Sequence, residues 1–340
     1  MKLIIGTDEA GYGPNLGPLV VTASCWLIDP RDFPTGEAAL DLFTVFERLF
    51  CRTRKNQEGR IQIGDSKQIY QSRCGLAPIE RAVIPIFLWS QARQANTPIA
   101  PRNLNWSMLV KQLCENATET EPLFSRLPWY QGFDPVLPTD LDPVDFLETL
   151  QQIPETSRSF PWGQRSRIIE AGPFNRLCEQ LGNKANVLSH TTLSVISNLL
   201  TNTLQSRYGK TIDEVLIVCD KHGGRNHYGG ILQSFFEDCW IQVVTETREH
   251  SRYRFRRNDT SYQFDFYARG ESHLPIAVSS LFAKYVREIC MIAFNRYWHQ
   301  KESTLLPTAG YPQDAKRFRQ DIQPWLPELG IPENDWWRIR

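Results

Sequence analysis

The residues with the clearest chemical potential open the chain. Asp8 and Glu9 follow the apolar run from Leu3 to Thr7 and lead into Gly11-Tyr12-Gly13-Pro14-Asn15-Leu16-Gly17-Pro18. Two carboxylates at the end of a strand suit a divalent cation, because Mg²⁺ takes hard oxygen ligands and keeps its other positions for water and phosphate. An isolated Asp-Glu pair more often serves a turn. Strand alternation also sends neighbouring side chains to opposite faces, but a backbone turning at Gly11 brings both toward one centre. The glycines do not form a dinucleotide-binding turn. The third comes one residue late, Pro14 and Pro18 prevent a helix from opening there, and two carboxylates would repel a pyrophosphate.

The pattern recurs. Val215-Leu216-Ile217-Val218-Cys219-Asp220 is a second apolar run delivering a carboxylate at its C-terminal end, and Gly270-Glu271 sets another acid ahead of a long helical stretch. Acids brought from separate elements can hold two cations about 4 Å apart, an arrangement that drives in-line attack of water on a phosphodiester. Between them, Arg248 to Arg257 interleaves Arg248, Arg252, Arg254, Arg256 and Arg257 with Tyr253 and Phe255. Such a stripe suits a phosphate backbone. His222 and His227 read as surface-loop histidines with no part in the chemistry.

These acids need elements to carry them. Leu3 to Thr7 and Leu19 to Leu27 read as strands, as do Glu214 to Cys219 and Ile241 to Thr245, while Ser261 to Tyr267 alternates weakly. Helical spacing runs through Ala38 to Phe50, Leu188 to Tyr208, Gly229 to Cys239 and Ile276 to Trp298; Pro78 to Leu88 fits helix or strand. Interleaved strands and helices imply an α/β domain in two pieces. Between the pieces, Asn96 to Trp162 holds nine of the 22 prolines with Trp106, Trp129, Tyr130 and Phe146. It reads as a structured insertion rather than an independent domain.

At 340 residues, 41% hydrophobic and 22% charged, the chain is neither a disulfide mini-protein nor mostly disordered. Its 38 basic and 38 acidic residues balance, but unevenly: Glu115 to Glu155 carries nine acids against Arg126, a local net charge of −8. The remainder is therefore basic. Arginines outnumber lysines 28 to 10, which suits forked contacts to phosphate. The eight cysteines form no close-spaced pair and read as free thiols in a reducing compartment. Neither a leader pattern nor a run of 18 apolar residues is present, so the protein is expected to be cytoplasmic and unanchored.

The run Asp8-Glu9-Ala10-Gly11-x-Gly13-x3-Gly17-Pro18 resembles the opening motif of the type 2 ribonucleases H, bacterial ribonuclease HII in particular. Asp65-Ser66-Lys67, Val218-Cys219-Asp220, Gly270-Glu271, the run Ile276 to Glu288 and Gly310-Tyr311-Pro312 are similar to later motifs of that family, in the family's order. The matches bracket residues 1–90 and 170–325. The resemblance implies an α/β fold with a ribonuclease H-like mixed sheet flanked by helices. The catalytic domain would span 1–325, interrupted by the acidic proline-rich insertion at about 95–165, with a C-terminal helical part and a tail at 326–340 that Trp336 and Trp337 pack down.

It further implies Asp8, Glu9, Asp220 and Glu271 as the catalytic carboxylates holding two Mg²⁺ or Mn²⁺ ions. Gly11, Tyr12 and Gly13 would form the loop that senses the ribose 2′-OH. Ser66 and Lys67 would touch phosphates, and Tyr311 would stack near a sugar. Lys284, within the helical signature, and Arg254 and Arg256 of the stripe complete the expected substrate-binding set. The implied activity is a metal-dependent endoribonuclease cleaving RNA–DNA hybrids, or ribonucleotides embedded in DNA, to 5′-phosphate and 3′-hydroxyl ends. Its partner is nucleic acid, with no membrane and a monomer favoured. Tyr12 stands where the family usually has Arg, and Glu271 is one methylene longer than the usual Asp. Those departures motivate a second reading: a weak or inactive hybrid- or junction-binding protein of the same fold. The insertion is expected to project away from the substrate, since an acidic lobe beside phosphates lowers affinity.

Overall fold

The apolar run at the N-terminus forms strand β1 (Lys2–Ala10) and the Val-rich run after the loop forms β2 (Leu19–Ile28). They pair antiparallel, with Lys2 opposite Ile28 and Ala10 opposite Val20. Every residue of β2 is buried, which a strand covered on both faces requires. Five further strands complete a sheet: β3 (Phe160–Ile169), β4 (Glu214–Asp220), β5 (Gln242–Glu246), β6 (His250–Arg257) and β7 (Thr260–Tyr267). Their order is β3-β2-β1-β4-β7-β6-β5. β4 runs parallel to β1 and β7, and the remaining neighbours are antiparallel. This is the mixed α/β sheet that the motifs imply. The computed structural model describes residues 1–32, 41–53, 59–70, 74–101, 103–114 and 126–339.

Helices cover both faces: α1 (Ala77–Ala95), α2 (Trp106–Leu113), α3 (Pro143–Gln151), α4 (Ala171–Leu181), α5 (Lys184–Leu204), α6 (Gly229–Phe235), α7 (Leu274–Lys301) and α8 (Pro312–Asp321). On one face, α4 and α5 bury Phe174, Val187 and Leu188 against Leu19, Val21 and Ile169. On the other, the 28-residue α7 lies over β1 and β2. It approaches so closely that a Cβ on Gly6 would sit 2.2 Å from the Pro275 carbonyl carbon. The Ser279 hydroxyl locks this contact by donating to the Gly6 carbonyl at 2.8 Å. Gly6→Ala is therefore expected to destabilise the fold by more than about 4 kcal/mol, read from the denaturant midpoint at constant m-value.

Several elements differ from their sequence reading. Residues 33–40, and with them the start of the helix expected over Ala38 to Phe50, lie outside the described residues. The rest of that stretch holds a single helical turn, Leu42–Val45, and the apolar spacing beyond it serves ring packing: Phe46 meets Trp26 at 5.3 Å and Trp89 at 6.0 Å. The ambiguous stretch from Pro78 is helix α1, which continues through Pro85. The Arg248 to Arg257 stripe contains a full strand, β6, and the stretch read as insertion runs into β3.

The described part of that stretch is built onto the helical layer. Trp129 packs edge-on against Phe294 of α7 at 5.1 Å, and Arg81 of α1 pairs with Asp145 of α3. Glu80 of α1, wholly buried, accepts from the amides of Thr139, Asp140 and Leu141 at 2.6–2.9 Å and from the Tyr285 hydroxyl at 3.0 Å. None of the eight cysteines forms a disulfide, and six of them are buried: Cys25, Cys51, Cys114, Cys219, Cys239 and Cys290. Among the described residues no helix is long and apolar enough to cross a membrane.

Candidate active site

Strand register brings the first two acids together. The parallel pairing of β1 with β4 ends at Thr7 opposite Cys219. The next residues, Asp8 and Asp220, thus lie side by side on adjacent strands with side chains on one face. β7 continues the row with Tyr267 opposite Asp220. The chain then turns through a short 3₁₀ helix, Gly270–Ser272, which carries Glu271. The Gly270 amide donates to Asp220 Oδ1 at 2.8 Å and fixes this turn against the strand end. Glu9 alternates toward the α5 side, while its amide donates to Asp8 Oδ1 at 2.8 Å.

A fourth element enters from the side. Asp65 caps the single helical turn Ser66–Ile69 by accepting from the Lys67 amide at 2.9 Å. The Ser66 and Ser280 hydroxyls share a hydrogen bond of 2.9 Å, seating the turn on α7. Lys67 thereby becomes the cation that acts on both Glu9 and Asp220.

The electrostatics show which of these groups act on one another. Burial first, and then the negative charge of Asp220, pushes the Asp8 carboxyl up to about 7; the Ser280 hydroxyl and the Glu9 amide oppose the rise. Burial and the charges of Asp8 and Asp220 hold Glu9 well above the usual carboxylate range, with Lys67 opposing. Asp220 is raised by burial and Glu271, against the Gly270 amide and Lys67. Asp8 and Glu9 keep a little accessible surface although protein surrounds them on most sides. The groups that dominate these shifts all lie outside the proline-rich segment.

Among the described residues, no three His, Cys, Asp or Glu side chains stand as a ready-made metal cage. The donor set fits a hard divalent cation nonetheless. Carboxylates from separate elements repel one another with Lys67 to offset them, a charge arrangement that a bound divalent cation would relieve. The metal-free protein should show the penalty. Its folded-state Asp8 value exceeds the unfolded one of about 3.9, so stability is greatest below that value and falls as pH rises to about 7. Asp8→Asn is expected to match wild type near pH 4 and to be more stable by about 3 kcal/mol at pH 8, measured by urea unfolding in chelator.

The opening loop is held from three directions. Gly11 takes φ +84°, and a Cβ there would lie 2.4 Å from the Pro18 carbonyl oxygen. The Asn15 and Leu16 amides donate to the Gly310 carbonyl at 2.8 and 3.3 Å, which sets the half-exposed Tyr311 beside the loop. Arg287 of α7 reaches the Ala309 carbonyl at 2.9 Å, and Arg338 of the tail donates to the Gly11 carbonyl at 2.5 Å. Gly13 is exposed. Tyr12 lies with its hydroxyl against Gly223, and Lys184 at the start of α5 stands 4.7 Å over its ring.

The structure thus gathers Asp8, Glu9, Asp220, Glu271, Ser66 and Lys67, with the Gly11–Gly13 loop and Tyr311 forming a second cluster. Lys284 is engaged with Glu288 at 2.6 Å and stands 4.5 Å over the Tyr70 ring. Arg254 and Arg256 are not brought to the acids. They share the sheet face of Asp8 and Asp220 but sit toward its opposite end, where Arg256 pairs with Ser261 and Ser261 with Glu214. His222 is buried rather than on a surface loop; burial pushes it down to about 3, and its Nδ1 shares a hydrogen bond with Ser189. Sequence reasoning missed Lys184 and Arg338, which lie far along the chain from the loop they contact and belong to no local motif.

No protein-family model matches the chain, and no curated protein matches it. Solved structures do. One is the ribonuclease HII of Archaeoglobus fulgidus, solved in complex with PCNA: 11% identity over 99% of this chain and 94% of that one, TM-score 0.37. Another is the ribonuclease H2 of Pyrococcus horikoshii OT3: 12% identity over 98% and 92%, TM-score 0.40. A third is the RNase H3 of Aquifex aeolicus: 12% identity over 98% and 70%, TM-score 0.38.

Proposed function

We propose that the protein is a divalent-metal-dependent endoribonuclease acting on RNA–DNA hybrids or on ribonucleotides embedded in DNA. The observation that carries this reading is the register of β1 and β4, which sets Asp8 beside Asp220 with Glu9 and Glu271 at the same strand ends. Asp8, Glu9, Asp220 and Glu271 would hold two Mg²⁺ or Mn²⁺ ions, whose chemistry is to lower the pKa of an attacking water and to stabilise the leaving 3′-oxygen. Lys67, exposed beside these acids, would meet the phosphate, while the buried Ser66 hydroxyl is held by Ser280 and seats that turn on α7. The Gly11–Gly13 loop would face the ribose 2′-OH, the group by which RNA differs from DNA at a site. Tyr311 offers a half-exposed ring to the adjacent sugar.

The ordered sequence motifs support the same reading. Its test is incubation with Mg²⁺ or Mn²⁺ and three duplexes: an RNA–DNA hybrid, DNA with one ribonucleotide, and all-DNA. Cleavage of either of the first two to 5′-phosphate and 3′-hydroxyl ends, with the third intact, is expected. Binding without cleavage at every metal concentration would leave a hybrid-binding protein of this fold instead.

A further inference from the structure

Trp240, ahead of β5, is 87% exposed, the most exposed large apolar side chain among the described residues. It borders a groove of about 490 Å³ whose floor is formed by the last strands of the sheet and whose polar lining includes Arg254, Arg256, Gln242, Gln263 and Ser261. The register explains the composition. Gln242, Arg254 and Gln263 form one cross-strand row, and Arg256, Ser261 and Glu214 the next. Both rows lie on the sheet face that carries Asp8 and Asp220. α7 covers that face over β1 and β2, and toward the far end of the outer strands Gln242, Arg254 and Arg256 are exposed on it.

The charges at this exposed end favour an anion. Arg254 donates to the Gln263 amide oxygen at 2.8 Å and Arg256 to the Asp259 carbonyl at 3.4 Å, so neither is consumed by a carboxylate in those contacts. The facing acids are already engaged: Glu214 with Lys2 at 2.8 Å, and Asp265 with Arg252 and His250 at 2.6 Å. Guanidinium forks suit phosphates, an exposed indole suits an unpaired base, and glutamine amides suit base edges. A purely apolar peptide groove would not need this lining.

We infer that the exposed end of this face on β5–β7 is a track for a nucleic-acid strand leaving the active site, with Arg254 and Arg256 on its phosphates and Trp240 stacking on a base at its end. The inference rests on the proposed function for its substrate. Six residue steps along β7, from Tyr267 to Ser261, separate the row of Asp220 from that of Glu214, about 20 Å at strand rise, so only a substrate extending several nucleotides past the cut reaches Trp240.

The test is fluorescence anisotropy of the full chain in chelator, so that nothing is cut, using fluorescein-labelled DNA with one ribonucleotide. One probe is about 10 base pairs long; the other adds a single-stranded extension of about 12 nucleotides, within the site size of one such track. Wild type should bind the extended probe about tenfold more tightly. R254A/R256A should lose that gain and lower the salt dependence of extended-probe binding by about two in log–log slope. W240A should lose most of the gain and W240F keep it, all variants melting as wild type. Equal affinity for both probes in wild type, or an unchanged gain in R254A/R256A and W240A, would overturn the track. So would sedimentation showing that Trp240 instead joins two copies of the chain. Because no cleavage is involved, a missing ribonuclease activity with an intact length effect would remove the proposed reaction and leave the track standing.

Discussion

Asp8→Asn is expected to lower cleavage of a ribonucleotide-containing duplex by at least about 10³-fold in kcat while leaving duplex affinity within a few-fold. The substitution keeps the size of the side chain and its place beside Asp220 but removes the charge. In the proposed site that charge is one of four that must gather cations at a single point. The amide preserves an acceptor for the Glu9 N–H, so the strand end keeps its geometry. The same variant should gain stability in chelator above pH 7, because the charge it lacks is the one the fold disfavours. Loss of activity with a gain in stability distinguishes a functional carboxylate from a structural one. A structural acid would lose both. Equal activity of wild type and variant over single-turnover time courses would remove Asp8 from the chemistry.

Glu80→Ala is expected to cost about 3–5 kcal/mol and to expose the proline-rich segment to protease. Glu80 is wholly buried, and its two oxygens are the acceptors for three consecutive backbone amides, Thr139 to Leu141, as well as the Tyr285 hydroxyl. Alanine leaves those donors dry and unsatisfied. It also cuts the tie between the segment and α7, which carries Ser279 and Ser280 nearer its start. Glu80→Gln keeps an acceptor and should cost less. Urea midpoints for the three proteins, with limited trypsinolysis of each, check both statements. A loss below about 1 kcal/mol in Glu80→Ala would mean that the segment is held by ring packing such as Trp129 on Phe294.

The acids were legible in the sequence because the features that position them are local. An apolar run ending in a carboxylate, followed by a glycine turn, announces both a strand end and what it displays. The neighbouring placement of Asp8 and Asp220 was not legible, since it depends on register between strands more than two hundred residues apart in the chain. The Gly11 loop was legible as a turn, but its anchors were not: Arg338 and Lys184 come from distant segments with no periodic or motif signal. Arg254 and Arg256 were correctly read as an alternating stripe. Their position along the strand depends on the pairing of β6 with β7, which local alternation does not encode. His222 looked like a loop residue because glycines follow it, yet the loop folds inward and buries the ring beside Ser189. Charge was informative only in pieces: the balanced total concealed an acidic, proline-rich segment within an otherwise basic chain.

In the proposed function Asp8, Glu9, Asp220 and Glu271 act as one divalent-cation centre. Calorimetric titration of Mn²⁺ into the metal-stripped chain, with an all-DNA duplex bound as an uncleavable partner, tests it most directly. Saturable binding is expected, weakening at least about tenfold in Asp8→Asn and again in Asp220→Asn, because each variant removes a charged oxygen ligand. Saturable binding of equal strength in wild type and both variants would contradict it.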